Sequence, residues 1–125
     1  MILDTNALSA LAEGESAPVA KLSRTNQVAI PVIVLGEYRF GIARSRYRGE
    51  YESWLKEILT VSSVLDVNEE TTIRYAEIRG ELRDAGTPIP SNDVWIAALC
   101  RQHALPILTR DRHFEWIEGV ERVDW

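Results

Sequence analysis

The chain has 125 residues and a formal charge of −5, from 14 Lys plus Arg against 19 Asp plus Glu. Apolar residues make up 46% and charged residues 26%, a globular balance that excludes a disordered segment, and the length predicts one domain, 1–125. Taken alone, the acidity argues against a passive nucleic-acid binder, because neutralising phosphates needs a basic face.

The single cysteine, Cys100, cannot form an internal disulfide, so the fold rests on its core and a reducing compartment is expected. No apolar run reaches bilayer length, and Met1-Ile2-Leu3-Asp4 has no signal-peptide character. The expectation is a cytoplasmic protein with no membrane association. His103, His113 and Cys100 do not supply a tetrahedral zinc set. A metal here would be held by carboxylates, which means a hard ion such as Mg2+ or Mn2+. All but Lys21 and Lys56 of the basic residues are arginines, and Arg39, Arg44, Arg46 and Arg48 lie close together. They read either as a solvated helix end or as contacts to phosphate.

In chain order, Ile2-Leu3 is a short apolar strand, and Thr5-Asn6 opens a helix through Leu11. Ser16-Ala17-Pro18 starts a second helix, with proline in its first turn. Val28-Ala29-Ile30 is the next strand, followed by helices over 33–43 and 51–59. Val64-Leu65-Asp66-Val67 is a third strand. Asn68 caps a long helix to about Ala85 with Ile73, Ile78 and Leu82 on its core side, and Gly86 stops it. Pro88-Ile89-Pro90 forces an extended loop; Ser91 then caps a central, mostly apolar helix over 94–102. Residues 106–109 form a fourth strand and 120–123 a fifth. Short apolar strands separated by helices predict a three-layer α/β/α sandwich with a mostly parallel five-stranded sheet.

Sites in such folds lie at the carboxyl ends of the strands, near a topological switch point. Asp4 directly follows the first strand, and Asp111 follows the fourth. Asp93 sits in the first turn of the helix opened by Ser91, and Glu37 about one turn into the helix after the second strand. Each alone could be a helix cap, a dipole partner or a surface ion pair. Together they would repel one another and raise each other's pKa values, and a divalent cation relieves that. The chemistry such a cluster suits is metal-assisted hydrolysis at phosphorus.

At these residues the sequence resembles a PIN-domain ribonuclease of the VapC toxin type. The matching pieces are Leu3-Asp4-Thr5-Asn6, the run from Gly36 to Ile42, the run from Pro90 to Ala98, and the run from Leu108 to Phe114. They come in the family's order and cover the chain. The resemblance implies an endoribonuclease using Mg2+ or Mn2+, with Asp4, Glu37, Asp93 and Asp111 as its acidic site. Asp4, Asp93 and Asp111 would hold metal, and Glu37 would act on the attacking water or bind metal through one. Thr5, Asn6, Asn92 and Thr109 would hydrogen-bond the carboxylates. Arg39, Arg44, Arg46, Arg48 and Arg112 are the candidate RNA contacts.

The resemblance also implies a homodimer neutralised by a small VapB-type antitoxin, in a heterotetramer or larger. Trp54, Leu55, Ile58 and Leu59 on one helix, with Leu8 and Leu11 on another, form either a groove for that partner or simply core. An antitoxin arginine among the carboxylates would replace the metal's charge. Two other readings stand beside this one: a PIN nuclease of RNA maturation or decay without an antitoxin, and a non-catalytic PIN-like binding module. A phosphoacceptor receiver is disfavoured, because Asp4 has no paired acid and no lysine follows Lys56. No Gly-x-Ser-x-Gly elbow, Walker loop or dinucleotide fingerprint is present. Cys100 reads as a buried small hydrophobe, His103 as a residue facing its helix dipole, and His113 as a surface or substrate-side residue.

Overall fold

The computed structural model describes all 125 residues, Met1–Trp125. Five very short strands carry the sheet: β1 (Ile2–Leu3), β2 (Ala29–Pro31), β3 (Ser63–Leu65), β4 (Ile107–Leu108) and β5 (Arg122–Val123). Six helices connect them: α1 (Thr5–Ala12), α2 (Ser16–Leu22), α3 (Val32–Ile42), α4 (Arg48–Leu59), α5 (Glu69–Asp84) and α6 (Ser91–His103). A 3-10 turn, Arg112–Trp116, lies between β4 and β5.

The strand order is β3-β2-β1-β4-β5 and every pairing is parallel. The expected sandwich is therefore present, with its sheet wholly rather than mostly parallel. Parallel strands need crossovers, and these are right-handed almost without exception. The chain steps one way from β1 to β3 and the other way from β4 to β5. The helices before β3 therefore cover one face of the sheet, and α5 with α6 the other. The reversal makes the gap between β1 and β4 the topological switch point. Ile2 pairs with Ile107 and Leu3 with Leu108, so the residues that leave these two strands emerge side by side.

The core is a cluster of 26 buried residues in which Ile2, Leu3, Ile30, Ile107 and Leu108 are fully enclosed. α6 is central as expected, with Val94 and the whole run from Ile96 to Cys100 buried. Leu8, Leu11 and Leu55 belong to this core, while Trp54, Ile58 and Leu59 pack half-buried against it. The core reading of these two helix faces therefore holds for the residues at their centres.

Several boundaries differ from the sequence expectation. β3 runs over Ser63–Leu65 rather than 64–67, because it is an edge strand with one covered face: Val64 and Val67 are exposed and only Leu65 is buried. Ile73 is 54% exposed, since the buried stripe of α5 runs through Thr71, Ile78 and Leu82. Thr71 completes a capping box with Asn68 and also donates to Gln102 Oε1 at 2.6 Å, tying α5 to α6. Ser91 is not a cap. Pro90 occupies the cap position, its carbonyl accepts from Val94 N–H at 3.2 Å, and Ser91 is the first helical residue. No helix is long and apolar enough to cross a membrane.

Candidate functional site

The geometry begins with Asp4, a residue only 5% exposed. Its Oδ1 accepts from Thr5 N–H at 2.8 Å and so caps α1. Its Oδ2 accepts from Thr109 Oγ1 at 2.7 Å and from Asn6 Nδ2 at 3.1 Å. Thr109 Oγ1 itself accepts from Asn6 Nδ2 at 3.0 Å and from Asp111 N–H at 2.9 Å. Asn6 Oδ1 accepts from Arg110 N–H at 3.1 Å, which fixes the amide's orientation. These bonds weld the ends of β1 and β4 into one rigid polar unit.

Asp111 leaves that unit to cap the 3-10 turn, its Oδ1 accepting from His113 N–H at 2.9 Å. Asp93 lies in the first turn of α6, where the helix dipole favours an anion. Glu37 lies mid-helix in α3, which packs against both α1 and α6. The cap readings of Asp4 and Asp111 and the dipole reading of Asp93 are thus all satisfied in the structure. Capping alone does not explain why these carboxylates also crowd together.

Their electrostatics show the crowding. Burial, aided by Asp111, pushes the Asp4 carboxyl above its ordinary value, and hydrogen bonds from Thr109 and Thr5 oppose the rise. Glu37 is raised by burial and then by Asp4 and Asp93. Asp93 is raised by burial and then by Asp111 and Asp4. The four carboxylates therefore sense one another although they come from four separate segments. Glu37 Oε1 and Thr5 Oγ1 are buried facing each other without a well-aligned hydrogen bond. Under-satisfied carboxylate oxygen beside like charges is a setting that a bound cation would relieve. The donor set, all hard oxygen apart from a neighbouring imidazole, fits a divalent ion.

His113 is the residue that sequence reasoning undervalued. Its Nδ1 lies 3.2 Å from Asp111 Oδ1 and 3.5 Å from Asp93 Oδ2. One donor atom from each of Asp93, Asp111 and His113 lies within 4.8 Å of the other two, so the three form a group able to hold a metal ion. The only advance signal was its position two residues beyond Asp111, which becomes adjacency once the turn is 3-10.

The other predicted residues divide. Asn6 and Thr109 bond the Asp4 carboxylate directly. Thr5 does so through its backbone, while its hydroxyl faces Glu37 and opposes the rise in that carboxyl's pKa. Asn92 is exposed and bonds none of the carboxylates, because α6 begins at Ser91 and turns Asn92 outward. Arg39 and Arg44 are exposed, Arg46 lies 4.8 Å over the Tyr47 ring, and Arg48 pairs with Glu52 at 3.0 Å. Arg112 pairs with Glu115 at 3.5 Å. Beside Glu37 a cleft of about 300 Å3 opens between α1, α3 and α4, lined by Thr5, Ser9, Glu13, Tyr38 and Tyr51 among others.

Residues 1–119 match the family model of the PIN domain. The chain belongs to the PIN domain family. Among curated PIN relatives, it is 29% identical to ribonuclease VapC5 of Mycobacterium tuberculosis, over 98% of this chain and 91% of that protein. It is also 29% identical to the tRNA(fMet)-specific endonuclease VapC of Salmonella typhimurium, over 81% of this chain and 77% of that protein. The solved VapBC2 complex of Rickettsia felis, bound to a DNA fragment from its promoter, holds a chain that superposes with a TM-score of 0.88. The identity is 26%, and the match covers 99% of this PIN domain and 97% of that chain.

Proposed function

We propose that this chain is a metal-dependent endoribonuclease, the toxin of a VapBC-type pair, with Asp4, Glu37, Asp93 and Asp111 as its catalytic acids. The observation that carries the reading is the crowding of these four carboxylates at the switch point of a PIN fold, each raised group sensing at least one of the others. Residues 1–125 act as one PIN domain, working in the cytoplasm.

Asp4, Asp93 and Asp111 would hold Mg2+ or Mn2+, and Glu37 would act on it through a water. A divalent ion bound there supplies charge to the phosphoryl oxygens and lowers the pKa of water. Glu37, whose burial raises its affinity for a proton, would take the proton of the water as its oxygen bonds to phosphorus and the P–O bond to the leaving ribose oxygen breaks, that oxygen taking a proton from solvent. Asn6 and Thr109 hold Asp4 in one rotamer, so its charge stays where phosphate charge builds up. Arg39 and Arg44, exposed beyond Glu37 on the same segment, offer phosphate contacts that the acidic centre lacks.

The cleft beside Glu37 suits a segment of a small antitoxin, in keeping with the complexes formed by relatives. Its two carboxylates, Glu13 and Glu37, favour a basic side chain, and an arginine there would take the place of the metal's charge. A homodimer of this chain would carry two such segments.

The test is cleavage of structured RNA with Mg2+ or Mn2+ and with chelator, comparing wild type with Asp4→Asn and Asp93→Asn. Wild type cuts only with metal, and either variant loses at least ~10²-fold. Equal cutting by all three proteins overturns the assignment.

A further inference from the structure

The imidazole of His113 stands beside the carboxylates in a manner that capping and packing do not require. Its Nδ1 is buried and lacks a hydrogen-bond partner, although carboxylate oxygens lie 3.2 Å and 3.5 Å away. Those oxygens are near enough for attraction but are not lined up with an N–H bond. A lone pair directed at a point shared with the two carboxylates accounts for both facts.

The distances suit such a point. Octahedral ions the size of Mg2+ bind at about 2.1 Å, which sets adjacent ligand atoms about 3 Å apart. The two Nδ1-to-oxygen separations lie close to that edge length. The residue is also anchored. The His113 backbone amide donates to Asp111 Oδ1 at 2.9 Å, which fixes the backbone, and the ring packs against Trp116 with centroids 5.1 Å apart. Its freedom to turn away from Asp93 and Asp111 is therefore limited.

We infer that His113 Nδ1 is a nitrogen ligand to the divalent ion held by Asp93 and Asp111, and that it biases the site towards transition-metal ions such as Mn2+ over Mg2+. The inference rests on the metal-dependent reading above. The chemical reason is the donor type. Mg2+ binds through oxygen and keeps much of its water, so an imidazole adds little for it. Transition ions accept imidazole readily, and neutral histidine is the commonest metal ligand in proteins. The ring then carries its hydrogen on Nε2.

The experiment compares full-length wild type with His113→Phe, which keeps an aromatic ring against Trp116, and with His113→Ala. Calorimetric titration with Mn2+ and with Mg2+ gives the affinity ratio, and pulsed EPR of the Mn2+ complex reads nitrogen coupling directly. Wild type should show 14N coupling and both variants none. Mn2+ affinity should fall about tenfold or more in each variant, and Mg2+ affinity less than about threefold. Absence of 14N coupling in wild type overturns the inference, as does an equal loss for the two ions. Asp93→Asn separates the metal centre from its nitrogen ligand. If it weakens neither ion, the metal centre itself is misassigned. If it weakens both while the His113 variants change nothing, only the nitrogen ligand is wrong.

Discussion

Thr109 Oγ1 donates to Asp4 Oδ2 at 2.7 Å, joining two residues 105 positions apart in the chain. The same hydroxyl accepts from Asn6 and from the Asp111 backbone, so one buried side chain holds three members of the site. Thr109→Val keeps the shape and deletes every one of these bonds. It should destabilise the protein by about 1–3 kcal/mol, the cost of leaving buried polar groups unpaired. Urea unfolding of Thr109→Val and Thr109→Ser checks this, with serine recovering most of the loss. If valine is as stable as threonine, the polar unit contributes nothing to the fold.

Asp93 and Asp4 should respond differently to amide replacement. Both carboxyls, with Glu37, are raised above their ordinary values, so the folded chain binds more protons than the unfolded chain in the window just above those values. Their contribution to metal-free stability is full below the unfolded pKa and is lost as pH rises through the folded one. Asp4 accepts from Thr5, Asn6 and Thr109, whereas Asp93 Oδ2 has the His113 Nδ1 at 3.5 Å without an aligned hydrogen bond. Asp93→Asn should therefore melt higher than wild type without metal at neutral pH, with the gap closing towards pH 4. In Asp4→Asn, the new amide would face the Thr109 hydroxyl and the Asn6 amide donor, so no such gain is expected. Melting curves across pH in chelator decide this. A gap that widens as pH falls contradicts the charge crowding.

Ala104 ends α6 in the left-handed region, with φ 52° and ψ 44°. The turn lets Leu105 N–H reach back to Cys100 carbonyl at 3.1 Å, which satisfies the helix end. A Cβ in this conformation costs roughly 1–2 kcal/mol, while glycine loses more backbone freedom on folding. Ala104→Gly should stabilise the chain by about 0.5–1 kcal/mol, read from the denaturant midpoint. A loss of stability instead would mean that the Ala104 side chain packs favourably.

Cys100 is 1% exposed within α6, and burial pushes its thiol well above the ordinary range. The native protein should resist alkylation at pH 8, reacting at least ~10²-fold slower than in denaturant, because the reagent must wait for the helix to open. Rapid native labelling would show that α6 opens locally.

Much of this architecture was legible because local rules carry it. Short apolar runs ended by polar residues located all five strands, and Asn68, Gly86 and the prolines around Ile89 bounded the long helices. Acidic residues just past strand ends stood out because parallel sheets put their sites there. Local rules failed where a position depends on a neighbour from elsewhere in the chain. Ile73 has an apolar side chain and a helical setting, yet no element covers it. Asn92 adjoins Asp93 but lies about 100° around the helix from it, and so points to solvent.

The sequence by itself determined the alternating elements and singled out four acids as site candidates, since patterning and caps act over a few residues. Only the tertiary structure decided which residues meet. The pairing of Leu3 with Leu108 sets Asp4 against Thr109, and the 3-10 turn after Asp111 swings His113 towards Asp93. Such meetings arise from strand order and close packing across the whole chain, and no stretch of neighbouring residues encodes them.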